Sequence, residues 1–196
     1  LMQGLADGYF IIPYTIGDYL AKEKLKDINT SSLEFEESVN KTKDNLKKML
    51  DIQGKKTVDD IHKELGKIMW EHVGMARNQG GLNKAIELVI SLKKEFWSNV
   101  KIPGKINEYN PELEKASRLA DFLELGELMA RDALIREESC GGHFREEYQT
   151  EDNEAKRNDK DFSFVSTWKF NEEKKSEIIK EDLNFEEVTP TTRSYK

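Results

Sequence analysis

Apolar residues crowd the first twenty positions of the chain and then thin into a stripe that recurs every three or four residues. Between positions 1 and 20 only Asp7 and Asp18 carry charge. That predicts a helix with no wholly polar side. Gly4 and Gly8, four apart, fall on one face and admit close approach of another backbone. Pro13 lacks an amide hydrogen and crowds the preceding turn, so it is expected to kink or end the helix. From Ser31 to Leu50, Val39, Leu46 and Met49 recur at helical spacing among lysines and glutamates, with Ser31 or Ser32 as cap and Gly54 closing the segment. Thr57 then caps a helix that carries Ile61, Leu65, Ile68, Met69 and Val73 on one face. Gly74 and the pair Gly80 and Gly81 interrupt the pattern, and Leu82, Ala85, Ile86, Val89 and Phe96 resume it. Residues 58 to 98 are therefore one broken helix or two in succession.

After a loop with Pro103 and Gly104, Asn110 caps a helix with Pro111 at its first position. This segment runs to about Glu138, with Leu113, Ala116, Ala120, Leu123, Met129 and Ala133 available for burial. Three long amphipathic segments with short connections predict an antiparallel three-helix bundle of the spectrin-repeat kind. Beyond Gly141 and Gly142 the character changes. Phe162, Phe164, Ser166, Trp168 and Phe170 alternate with other residues at strand period. A charged, mobile stretch from Asn171 to Lys180 is expected to separate that strand from Leu183 to Val188, which could pair with it. The fold class is mainly α with an irregular, partly β extension. Residues 1–25 read as the end of a preceding domain, 26–140 as the bundle and 141–196 as the extension.

Composition narrows the function classes. Charged residues are 35% of the chain, both signs are interspersed, and the net charge is −7, so the basic stripe that nucleic acid requires is missing. A hydrophobic share of 37% is modest for a self-sufficient globule, so some segments are expected to be tails or to pack on another domain. The single cysteine, Cys140, rules out an internal disulfide and a cysteine-rich metal or cluster site, and fits a reducing cytosolic compartment. Leu1 to Leu20 is interrupted by glycines, a proline and acids, and lacks a basic start. It reads as neither a membrane span nor a signal peptide. The apolar opening without a cap reads as the middle of a longer chain.

Little of the sequence looks chemical. His62 and His72, ten apart, lack metal spacing and read as helix-face residues. Met69, Trp70, Met75, Phe96 and Trp97 read as core or docking residues, and Lys47-Lys48 and Lys93-Lys94 as solvated faces. The run from Arg131 to Arg145 is the exception. A helix ends there at two glycines, and His143 and Arg145 follow within five residues, which could set two polar groups against an anion. In the alternative, Arg136, His143 and Arg145 complement helix carbonyls or pair with Glu137, Glu138, Glu146 and Glu147. Cys140 would be a nucleophile only with a base to activate it, and His143 lies across a glycine turn.

The run Arg136-Glu137-Glu138-Ser139-Cys140-Gly141-Gly142-His143-Phe144-Arg145 resembles the Arg-x-Glu-Ser-Arg-Gly-x-His-x-Arg segment of the flavoprotein subunit of succinate dehydrogenases and fumarate reductases. Cys140 stands where that family has arginine. Met69 to Asn78 is similar to its Met-Trp-x-x-x-Gly-x-x-Arg-Asn turn, Leu1 to Tyr9 to the helix after its Asn-Arg-Leu-Gly segment, and Thr192 to Lys196 to its C-terminus.

The resemblance implies the C-terminal portion of an enzyme that interconverts succinate and fumarate with FAD and passes electrons to an iron–sulfur subunit. It implies that the catalytic residues lie upstream, leaving none in this chain; from the cysteine count and histidine spacing, no metal site is expected either. Partners would be the upstream FAD-binding domain, the iron–sulfur subunit and, indirectly, a membrane anchor subunit. The location would be the inner face of the cell membrane. Leu1 is implied to offer its backbone N–H to the flavin from a helix start. Arg136, His143 and Arg145 are implied to be structural or to pack against the flavin domain. L-aspartate oxidase is the neighbouring alternative, disfavoured by the length of residues 160–196. A free-standing helical interaction module is another, disfavoured by the uncovered apolar helix at positions 1–20.

Overall fold

A computed structural model describes residues 2–24, 29–171 and 177–191. The chain divides into two units, residues 1–45 and residues 46–196.

The first unit is helical. Helix α1 (Met2–Ala6) passes through a π-helical turn (Asp7–Ile11) into α2 (Ile12–Lys22). The flanking residues Ala6 and Ile12 both keep right-handed helical angles. The helix therefore continues past Pro13 to Lys22, where an end at the proline was one expectation. The reason is local: the turn before Pro13 widens, Ile12 N–H bonding back to the Asp7 carbonyl, and Pro13 enters the first turn of α2 where an amide hydrogen is dispensable. No residue of α1 or α2 is buried, and Tyr9, Phe10, Tyr14 and Tyr19 are all more than 60% exposed. Nothing described lies within 4 Å of where a side chain on Gly4 or Gly8 would begin. Helix α3 (Leu33–Leu50) starts in this unit, and its last turn enters the second, where Met49 is buried. Val39, expected in the stripe, is half exposed.

The second unit is built around three helices, α4 (Val58–Val73), α5 (Gln79–Asn99) and α6 (Pro111–Ile135). Their starts follow from side-chain caps. Thr57 Oγ1 accepts from Asp60 N–H, Asn78 Oδ1 from Gly81 N–H, and Asn110 Oδ1 from Leu113 N–H. Gly74 ends α4, so residues 58–99 form two helices. Directions are fixed by cross-links. Strand β1 (Lys56–Thr57), just before α4, pairs in parallel with β2 (Val100–Lys101), just after α5. Those two helices therefore run opposite ways. Lys115 near the start of α6 bonds Asp59 near the start of α4 at 2.9 Å, so α6 runs with α4. The buried faces meet as one core in which Ile61, Leu82, Phe96, Leu119 and Leu123 are almost wholly excluded from water.

On α6 the buried face is Leu113, Ala116, Leu119, Leu123, Gly126, Ala130 and Ala133. Met129, expected inside, is 46% exposed, because the stripe passes through the small residues at 126 and 130 instead. A Cβ on Gly126 would stand 3.3 Å from Met69 Sδ, the end of a flexible side chain. Gly126→Ala is therefore expected to be tolerated. The helix-propensity gain offsets a small shift of Met69, leaving stability within about 1 kcal/mol of the parent in urea unfolding.

After α6 the chain forms turns, a short helix α7 (Asp159–Phe162) and an antiparallel hairpin of β3 (Phe164–Lys169) and β4 (Glu177–Asp182). Phe164 pairs with Asp182 and Lys169 with Glu177. The strand expected from alternation is present, but Phe162 belongs to α7. Its partner is Glu177–Asp182, part of which lies in the stretch expected to be mobile, and not Leu183 to Val188. Two adjacent isoleucines among charges give no alternation, so cross-strand bonding and not periodicity makes β4 a strand.

Candidate functional site

The turn that follows α6 gathers the polar side chains singled out in the sequence. A helix end leaves carbonyls without partners, and here they are met from below. Arg145 is 2% exposed, and its Nη1 donates to the carbonyls of Ala133 at 2.9 Å and Leu134 at 3.1 Å. Its Nε donates to Glu147 Oε2 at 3.1 Å, and Tyr148 covers the guanidinium. Burial raises the cost of charging Glu147, but hydrogen bonds from Gln79 N–H and from Arg145 outweigh it and hold the carboxyl below its ordinary value. Buried Ser139 locks the same turn, accepting from Arg145 N–H at 2.8 Å and donating to the Arg145 carbonyl.

Arg136 does a different job. Its Nη1 donates to Glu138 Oε1 at 2.8 Å and to the Phe162 carbonyl, and its Nη2 to the Phe164 carbonyl at 3.0 Å. Glu138 is 3% exposed and also accepts from Asn158 N–H, so the buried carboxylate has an opposite charge and a second donor. Asp132 Oδ1 accepts from Ser166 Oγ and from Trp168 Nε1, both at 2.9 Å. These bonds fasten β3 to the last turn of α6.

His143 completes the cluster from the loop. Gly141 turns the chain with φ +58, and the backbones of Cys140 and His143 bond each other in both directions. The His143 ring then lies between two arginine residues: Nε2 is 2.9 Å from the Arg136 carbonyl, and Nδ1 is 2.9 Å from Arg77 Nη1. A guanidinium only donates and a carbonyl only accepts. The ring must therefore be neutral, with its hydrogen on Nε2. Burial is the main cause holding its pKa below the ordinary value, assisted by the charges of Arg77, Arg145 and Arg136 and opposed by the bond to the Arg136 carbonyl. Both ring nitrogens are committed, so His143 is not placed to activate Cys140, which is exposed.

Arg77 is the member that spacing did not pick out. It sits in the link between α4 and α5, where its Nε donates to the Gly74 carbonyl. Its N–H donates to the Phe144 carbonyl at 3.0 Å and its carbonyl accepts from Glu146 N–H at 2.7 Å, so the two segments bridge as a strand would. Asn78 Nδ2 adds a bond to Glu146. The motif that contains Arg77 and the motif that ends in Arg145 are thus one structure. That adjacency was available only as two separate family-like motifs.

The remaining candidates stand apart. Phe96 is core, and Trp97 packs edge-on against it beneath Lys48. Trp70 and Met75 are 83% and 89% exposed, so the core reading does not hold for them. His62 lies beside Phe122 at an open groove of about 230 Å³ lined by Leu65, Met69, Leu125 and Met129. That groove is small for an organic cofactor and offers no converging donors. Leu1 and Thr192 to Lys196 lie outside the described residues. Among those described, no helix is long and apolar enough to cross a membrane.

The arrangement is one of internal fasteners, with each arginine used on a carbonyl or carboxylate of its own unit. Comparison with known proteins gives it a family. The fumarate reductase flavoprotein C-terminal profile matches residues 62–195, which include both motifs. The fumarate reductase flavoprotein subunit of Helicobacter pylori is 30% identical over 185 residues, covering 92% of this chain and 25% of that one. An uncharacterized FAD-dependent oxidoreductase of Methanocaldococcus jannaschii is 30% identical over 128 residues, covering 65% and 22%. This chain thus spans about a quarter of the length of those relatives. Among solved structures, an Escherichia coli quinol fumarate reductase superposes with a TM-score of 0.72 at 22% identity, covering 84% of this chain and 27% of that one. Adenylylsulfate reductase from Archaeoglobus fulgidus superposes at 0.60 and 19% identity, covering 76% and 25%. The helical bundle is therefore a fold shared with a solved fumarate reductase, and the chain belongs to the fumarate reductase flavoprotein C-terminal family.

Proposed function

We propose that this chain acts as the C-terminal part of a flavoprotein that interconverts succinate and fumarate, and that its role there is mechanical. The observation that carries the reading is the match of residues 62–195 to a fumarate reductase flavoprotein family, with its two motifs fastened together through Arg77 and Arg145. FAD, held by the rest of such a protein, would supply the acceptor for the hydride, with its two electrons, that succinate gives up along with a proton, and the link to an iron–sulfur subunit. The residues of this chain hold the bundle and its turn rigid, so that they offer the flavin domain a fixed surface. The apolar helix over positions 2–22 belongs against that domain, consistent with its large exposed side chains. The Arg136 and His143 turn packs toward the same domain, and Arg145 acts from inside. The complete protein would sit at the inner face of the cell membrane through an anchor subunit.

Two features support a structural over a catalytic role. Arg77, Arg136, His143 and Arg145 are all engaged within their own corner, and the groove beside His62 is apolar. The fold alone does not name the substrate, since an adenylylsulfate reductase shares it. The isolated 196-residue chain is therefore expected neither to quench FAD fluorescence at micromolar concentrations nor to reduce fumarate with a viologen donor. Tight FAD binding or turnover by the chain alone would overturn the mechanical reading.

A further inference from the structure

The cluster at the end of α6 contains one group whose bonds depend on its being uncharged. His143 Nδ1 receives a hydrogen bond from Arg77, and His143 Nε2 donates one to the Arg136 carbonyl, both at 2.9 Å. The ring, 66 residues from Arg77 in sequence, thus joins the α4–α5 link to the end of α6. Lysine or glutamine could make one or both of these bonds without titrating near neutrality. Histidine makes both only while neutral.

We propose that His143 is a proton-sensitive clasp: neutral, it holds the α4–α5 link and the 140–146 turn together, and protonation releases Arg77 and loosens that corner. A proton on Nδ1 would set N–H against N–H at the Arg77 contact and place a cation among Arg77, Arg136 and Arg145. Those are the charges whose effect on the ring is resolved, one from each segment packed against it: the link, the end of α6 and its own turn. Of the carboxylates of the corner, Glu138 is paired with Arg136 and Glu147 with Arg145, Glu146 accepts from Asn78, and Asp132 accepts from Ser166 and Trp168 while its charge acts on Arg77. The remaining ties are the backbone bonds of Arg77 with Phe144 and Glu146 and the bonds from Asn78 and Gln79 to Glu146 and Glu147.

The sign of the pH effect follows from the lowered pKa. The unfolded ring takes a proton more readily than the folded one, so the clasp contributes fully above the ordinary histidine value of 6.5 and is lost as pH falls through the lower folded value.

The test compares the 196-residue chain with its His143→Gln variant by amide hydrogen exchange of residues 140–146 between pH 7.5 and pH 5, corrected for intrinsic rates. A glutamine amide can accept from Arg77 and donate to the Arg136 carbonyl but does not titrate. The parent is expected to lose protection in this segment on acidification, on the order of tenfold, as one charge-assisted hydrogen bond is lost. The variant is expected to match the parent at pH 7.5 and to show no such step. Nitrogen-15 spectra of the histidine rings supply a second reading that does not depend on the variant folding, with the neutral Nε2–H tautomer expected at pH 7.5. An Nδ1–H tautomer, a step of equal size in both proteins, or no step in the parent would each overturn the proposal.

Discussion

Replacing Arg145 by alanine is expected to destabilise the second unit by about 3–5 kcal/mol, the usual cost of removing one member of a buried charged network. The size follows from what is left behind. The Ala133 and Leu134 carbonyls lose their donor inside the protein, Glu147 loses its cation, and a large side chain that is 2% exposed leaves a void. Arg145→Lys is expected to recover less than half, because one ammonium group cannot serve the carbonyls and Glu147 in the geometry of a guanidinium fork. Urea unfolding followed by far-ultraviolet circular dichroism measures both. An Arg145→Ala midpoint near that of the parent would mean that the turn is not a fastener.

Gly54→Ala is the second large effect, from an unrelated cause. At Gly54 the chain passes so close to the end of α5 that an added Cβ would overlap the Asn99 carbonyl and stand 2.5 Å from the Val100 carbonyl oxygen. Both neighbours are backbone, held by the β1–β2 pairing and by the bond from Lys55 N–H to the Asn99 carbonyl at 2.9 Å. One methyl group therefore has to separate two strands, with an expected cost of about 3 kcal/mol or more in the same unfolding measurement. The contrast with Gly126 is instructive. There the obstacle is a flexible methionine, and the same substitution is expected to be nearly neutral.

The starts of α4 and α6 were legible in the sequence because local chemistry announces them, whereas the break that makes α5 a separate helix, capped by Asn78, was left open. Thr57 and Asn110 are caps, Pro111 sits where a missing amide hydrogen costs nothing, and apolar spacing marks the buried faces. Errors arose where a local signal was absent or ambiguous. Met129 and the Gly126–Ala130 pair both fit a helical stripe, and only packing against α4 decides between them. Strand β4 has no alternation of its own and exists through its pairing with β3. Pro13 is accommodated by a widened turn that periodicity does not reveal.

The candidate cluster was legible in part. Arg136, His143 and Arg145 stand within ten residues, and their use on helix carbonyls and nearby glutamates is one of the two arrangements that their types permit. Arg77 was not legible as a partner, because its contact with His143 spans the whole α5–α6 hairpin. Its signal lay in the second family-like motif, which only the folded chain joins to the first.

The central claim is that this sequence works within a flavoprotein acting on succinate or fumarate. Its most direct test is the visible spectrum of the native protein, recovered from its source with an antibody against residues of this chain, before and after adding succinate. The account predicts a flavin absorbance that bleaches with succinate and returns with fumarate. A protein without flavin, or one whose flavin ignores both acids, would contradict it.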